Sequence, residues 1–140
     1  MSASFELANR DILTLFDTAW DTTGLVAIYE NVANQPKPST QAAFAKVFVR
    51  HLAPGGQTLT GATGTTRYDR TGLITVQIFI PNGNGLSLGY SLGKVVTDAF
   101  EGVASPLHVW FRNARLNEIG PSGEWFQFNA LIDFEYDEIK

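Results

Sequence analysis

Residues 67–85 read RYDRTGLITVQIFIPNGNG, and this stretch decides between a packed two-layer domain and a nucleotide-binding one. Ile74, Val76, Ile78 and Ile80 fall on one side of an extended chain, with Thr75, Gln77 and Phe79 on the other, because successive side chains of a strand point to opposite faces. Pro81 ends the run, having no amide hydrogen to give to a ladder. Upstream, Asp69-Arg70-Thr71-Gly72 suits a type I turn with Gly72 in the left-handed region, so a hairpin is expected to close there. Downstream, Gly83 and Gly85 follow a strand and precede a helix, the setting of a phosphate-cradling loop. The fingerprint G-x-G-x-x-G is nevertheless broken in GNGLSLG (83–89), where Leu88 fills the third glycine position. The connection Pro81 to Leu86 is also too loose for bare backbone to close on a pyrophosphate, and the neighbouring strands look antiparallel. These glycines turn the chain.

Outward from this strand the period changes. Leu88, Leu92, Val95, Val96, Ala99, Phe100 and Val103 recur at helical spacing, and Gly102 can terminate the helix. Leu107 to Ile119 contains at least one strand, with a bend near Arg112, while GPSG at 120–123 reads as a turn and Trp125 to Tyr136 as a strand. In that last strand Phe126, Phe128, Ala130, Ile132, Phe134 and Tyr136 share one face, opposite Gln127, Asn129, Asp133 and Glu135. A sheet buried on one side gives this alternation.

On the other flank, Phe5, Ala8, Ile12, Phe16, Ala19 and Trp20 predict a helix over Ser4 to Trp20, with Ser4 as its cap and Gly24 just past its end. LVAIYEN (25–31) and QAAFAKVFVRHL (41–52) read as strands, separated by the proline-bearing loop NQPKPST. Pro54 to Thr66 holds Gly55, Gly56, Gly61 and Gly64 and one large apolar residue, Leu59. So long a polar segment is expected to be mobile in the free subunit and to order in an assembly. The layout is a single α+β domain over residues 1–140: a mostly antiparallel sheet with two main helices packed on one face.

Composition narrows the function. With 140 residues and 44% hydrophobic content the chain can bury a core of its own. Its net charge of −4 argues against nucleic-acid recognition, which needs a basic face. The absence of cysteine excludes disulfides and thiolate metal sites. The start MSASFELANRD has no basic region followed by an apolar core, and no apolar run is long enough to span a bilayer. A soluble, cytoplasmic start and no membrane partner are therefore expected.

Few residues suggest chemistry. GYSLG (89–93) matches the nucleophile elbow G-x-S-x-G, and Ser91, Asp98 and His108 follow in the order of such hydrolases. An elbow needs its serine on a strained turn directly after a strand, whereas Ser91 falls within the amphipathic helix. Gly89 and Gly93 more simply let that helix pass close over the sheet. His51 reads as a structural histidine within a strand, and two histidines far apart make no metal site. Asp133, Glu135 and Asp137 share a strand face, where a solvated or partner-facing acidic strip is favoured over a divalent-cation site. No catalytic residue and no cofactor are expected.

The run Arg67 to Pro81, followed by a glycine-rich turn and a helix of small and apolar residues, resembles the tail-terminator-like proteins of long-tailed bacteriophages and prophages. The order of helix, strands, glycine-rich loop, hairpin, helix and strands is similar to the lambda-type tail terminator domain. The resemblance covers most of the chain from Leu25 on and is sharpest over Tyr68 to Gly85; the N-terminal helix and Pro54 to Thr66 match poorly. It implies a structural protein that assembles in the bacterial host cytoplasm and ends up in the virion tail. There it would form a hexameric ring on the tail tube, stop tube polymerisation and offer a surface to the head connector. Its partners would be itself, the tube protein and the connector. A head-to-tail ring joins unlike surfaces. The candidates for the subunit or tube contact are Arg67 and Arg70 at the expected hairpin end, Gln77 and Phe79 on the polar side of the central strand, and the strip Asp133, Glu135 and Asp137.

Overall fold

The structure is a computed structural model, and it describes residues 4–33, 35, 38, 42–52, 64, 66–103, 105–106 and 109–140. Helix α1 (Phe5–Trp20) begins at Ser4, whose hydroxyl accepts a hydrogen bond from the Leu7 amide at 3.3 Å. It buries Ala8, Ile12, Phe16 and Trp20 in a stripe. A short 3-10 turn follows at Asp21–Thr23 and ends at Gly24, which carries a φ of 70°. Strand β1 (Val26–Tyr29) is parallel to β2 (Phe44–His51), which the long connection between them allows. β3 (Arg67–Pro81), helix α2 (Ser87–Phe100), β4 (Trp110–Ser122) and β5 (Trp125–Ile139) complete the domain. The sheet order is β1-β2-β3-β5-β4, antiparallel at every contact except β1 with β2. The α+β architecture is the one the periodicities predict.

The helices share one face of the sheet. Their stripes meet Ile74, Val76, Ile78 and Ile80 of β3 and Phe128, Ala130, Ile132, Phe134 and Tyr136 of β5 in a single core. Phe126, expected in the same stripe, is only half-buried at its rim. Gly89 and Gly93 let α2 lie close on the sheet: a Cβ at Gly89 would enter the Phe128 ring, and one at Gly93 would lie 2.6 Å from a Leu116 methyl.

Two turns differ from expectation. No hairpin closes at Asp69–Gly72, because β3 runs through these positions and pairs along all of its 15 residues with β5. The local turn preference of four residues is outweighed by a ladder fifteen residues long. Gly72 is a glycine for a different reason: it lies opposite both Phe134 and His51, and a Cβ there would run into the Phe134 ring and the Arg50 carbonyl. The turn expected at 120–123 is shifted, since β4 continues to Ser122 and the hairpin turns through Gly123 and Glu124. Gly123, with a φ of 63°, supplies the positive φ that two-residue hairpin loops need. The bend near Arg112 is a register shift between Arg112 and Arg115, with Asn113 at a φ of 55°.

Candidate functional site

Among the described residues no helix covers the second face of the sheet. Strand alternation and register set its composition. β3 presents Arg67, Asp69, Thr71, Leu73, Thr75, Gln77 and Phe79, and β5 presents Trp125, Gln127, Asn129, Leu131, Asp133, Glu135 and Asp137 opposite them. β4 adds Trp110, Arg112 and Arg115 along the far side.

The charges on this face are paired within the chain. Arg67 lies 3.5 Å from Asp137, Arg115 lies 3.5 Å from Asp133, and Arg112 pairs with Glu135. Asp69 stands directly across from Asp137. Burial, then a hydrogen bond that the protonated carboxyl donates to Asp69, push Asp137 above its usual range, against the pull of Arg67. The acidic strip of β5 is thus flanked by Arg67 on β3 and by Arg112 and Arg115 on β4, while Asp69 faces Asp137 as a like-charged pair. Among the described residues no three acidic or histidine side chains come together in a way that could hold a metal ion.

The face also has an aromatic end. Phe44 stacks on Phe79 with ring centroids 4.8 Å apart and meets Trp125 edge-on at 5.0 Å, and all three are buried. Lys46 Nζ sits 5.5 Å above the Phe79 ring. Phe79 is therefore part of a small second core, not a free contact residue.

Arg67, Gln77, Phe79, Asp133, Glu135 and Asp137 lie together on this face. Arg70 does not: it is on the helix side, donating from Nε and Nη2 to Glu138 at 3.1 and 2.9 Å. The basic and acidic candidates are consequently cross-strand neighbours and form no two separate patches, which corrects the arrangement expected from a hairpin end. The Phe44–Trp125 cluster and the partners Arg112 and Arg115 escaped sequence reasoning. The available signal was Phe79 and Trp125 breaking the polar side of two alternating strands. Gly55, Gly56 and Gly61 and most of the loop Pro54 to Thr66 lie outside the described residues. Gly64 is exposed with a φ of 87°, and the Thr66 carbonyl accepts from the Lys140 amide at 2.9 Å.

On the helix side, His51 Nε2 lies 2.8 Å from the Tyr136 hydroxyl, and its ring meets Phe5 and Phe134 edge-on. Burial and the nearby Arg70 hold its pKa below the ordinary histidine value, while burial pushes the Tyr136 hydroxyl up to about 12. Ser91 is exposed in the middle of α2, and Asp98 accepts from Lys94 Nζ at 2.7 Å. Seven steps of helix carry Asp98 about 10 Å from Ser91, and His108 lies outside the described residues. A cleft of about 350 Å³ beside α1 is lined by Leu13, Tyr29, Val47 and Val49, with the Tyr29 hydroxyl donating to Asp17 at 2.6 Å. No helix among the described residues is long and apolar enough to cross a membrane.

No family model matches the chain, and no curated protein matches it. Solved structures share its fold. One, which carries no functional description, superposes with a TM-score of 0.66 at 17% identity over 96% of each chain. Another is a chain from the virion of a native gene transfer agent particle, with a TM-score of 0.55 at 12% identity over 96% of this chain and 99% of that one. At such identities the likeness is one of fold, extending nearly end to end.

Proposed function

We propose that this chain is a structural, non-catalytic protein of a phage-like particle and that it serves as a tail terminator. It would form a ring, on the family resemblance a hexamer, on the finished tail tube, end tube polymerisation and offer its outer surface to the head connector. The observation that carries this reading is the nearly full-length likeness to a chain of a gene transfer agent virion. The sequence resemblance over Tyr68 to Gly85 supports it independently. So does the chemistry: the one serine, acid and histidine series found in the sequence has its serine in mid-helix and its acid tied to a lysine. We assign the subunit or tube contact to the sheet face that bears Arg67, Gln77, Asp133, Glu135 and Asp137. Because its charges are already paired within the chain, a partner meets a neutralised surface, which favours register over affinity. Assembly would take place in the bacterial host cytoplasm. The test is electron microscopy of particles made without this protein: tails of uncontrolled length that fail to join heads are expected, and headed tails of normal length would overturn the reading.

A further inference from the structure

The turn between β3 and α2 contains two Asn-Gly pairs in succession, Asn82-Gly83 and Asn84-Gly85, all four residues exposed. Glycine lacks a Cβ, so its amide nitrogen is open to attack on the preceding side chain. The two asparagines are held differently. Asn82 donates from Nδ2 to the Gly123 carbonyl at 3.0 Å, and its backbone amide donates to the Glu124 carbonyl at 3.3 Å. Both bonds tie it to the β4–β5 turn. Among the described residues the Asn84 side chain and the Gly85 amide have no hydrogen-bond partner.

We propose that Asn84 is a site of spontaneous deamidation and that the fold protects Asn82 from the same reaction. The Gly85 backbone nitrogen, losing its proton to solvent base, attacks Asn84 Cγ. A nitrogen–carbon bond forms, the Cγ–Nδ2 bond breaks, and Nδ2 takes a proton back from solvent and leaves as ammonia, giving a five-membered imide. Water then adds to one of the two imide carbonyls and opens the ring to aspartate or to isoaspartate. Nothing is oxidised or reduced, and water is the only co-reactant. At Asn82 the same attack requires the side chain to leave the Gly123 carbonyl first. The product adds one negative charge to a chain already at −4. It does so beside the start of α2, whose first turn has neither an acidic residue nor a side-chain cap.

The test is to age the purified full-length chain in warm, mildly alkaline buffer and follow both positions by peptide mass mapping, folded and in concentrated urea. In urea the two asparagines should convert at similar rates. In the folded chain Asn82 should convert about tenfold more slowly than Asn84, the equivalent of about 1.4 kcal/mol, which two modest hydrogen bonds can supply. Asn84→Gln should remove the mass gain at 84 and leave Asn82 as slow as before. Equal rates in the folded chain, a faster Asn82, or an Asn84 that converts only in urea would each overturn the proposal.

Discussion

A methyl group at Gly72, Gly89 or Gly93 meets three different neighbours, and the differences set three different costs. At Gly72 the obstacles are an aromatic ring and a backbone carbonyl, neither of which can give way. Gly72→Ala is expected to lower stability by about 1–3 kcal/mol, the usual cost of overpacking. In α2 an alanine gains about 1 kcal/mol of helix propensity over glycine. Gly89→Ala should still destabilise, since it drives into the Phe128 ring, whereas Gly93→Ala should be close to neutral because the Leu116 methyls can rotate away. Urea midpoints at unchanged m-value read all three. His51 supplies a pH dependence. Its folded pKa lies below the ordinary 6.5, so between the two values the unfolded chain binds more protons. Stability is full above pH 6.5 and falls as pH drops below it, and Gln at this position should flatten that part of the pH–stability curve.

At the scale of elements, β3 was legible as a strand only from Leu73 to Pro81. Before that, Asp69 to Gly72 look like a turn because Asp, Arg, Thr and Gly suit one, and nothing within a few residues reveals the β5 ladder. Alternation nevertheless assigned the faces of both strands correctly, and with them the core. The extension puts Arg67 and Arg70 on opposite faces, and the two should respond differently to truncation. Arg70 and Glu138 are each mostly buried, at 17% and 16% side-chain exposure, so Arg70→Ala strands a carboxylate and should cost about 1.5–3 kcal/mol. Arg67, at 54% exposure, makes a surface pair worth about 0–1 kcal/mol. Thermal or urea unfolding of the two variants checks this. Equal losses would show that the face assignment of β3 is wrong.

For the whole molecule, the assembly surface needs a probe that leaves the fold alone. Exchanging the charges, with Arg67→Asp and Asp137→Arg together, keeps the ion pair within the chain while inverting the pattern a partner sees. It also relieves the opposition of Asp137 to Asp69. The exchanged protein should unfold within about 1 kcal/mol of the original and yet fail to restore normal tail length to particles lacking this protein. Normal tails from a folded exchange would move the contact off this face. Exposed, internally paired charges hold subunits weakly, so dilute protein should sediment mainly as a monomer and close into a ring on the tube end.

Element type and burial face belonged to the sequence, because a period of two or of 3.6 is written in neighbouring residues and needs no partner to be read. The helices, the Ser4 cap of α1, the α+β class and the buried sides of β3 and β5 follow from that locality, as does the reading of Gly83 and Gly85 as turn residues, with φ of 93° and 76°. Tertiary structure alone decided the length of β3, the purpose of Gly72 and the partners of the charges. Arg70 and Glu138 are 68 residues apart in the chain and meet only because a fifteen-residue ladder brings them into register. Such pairing depends on the free energy of a whole strand contact, which no window of a few residues contains.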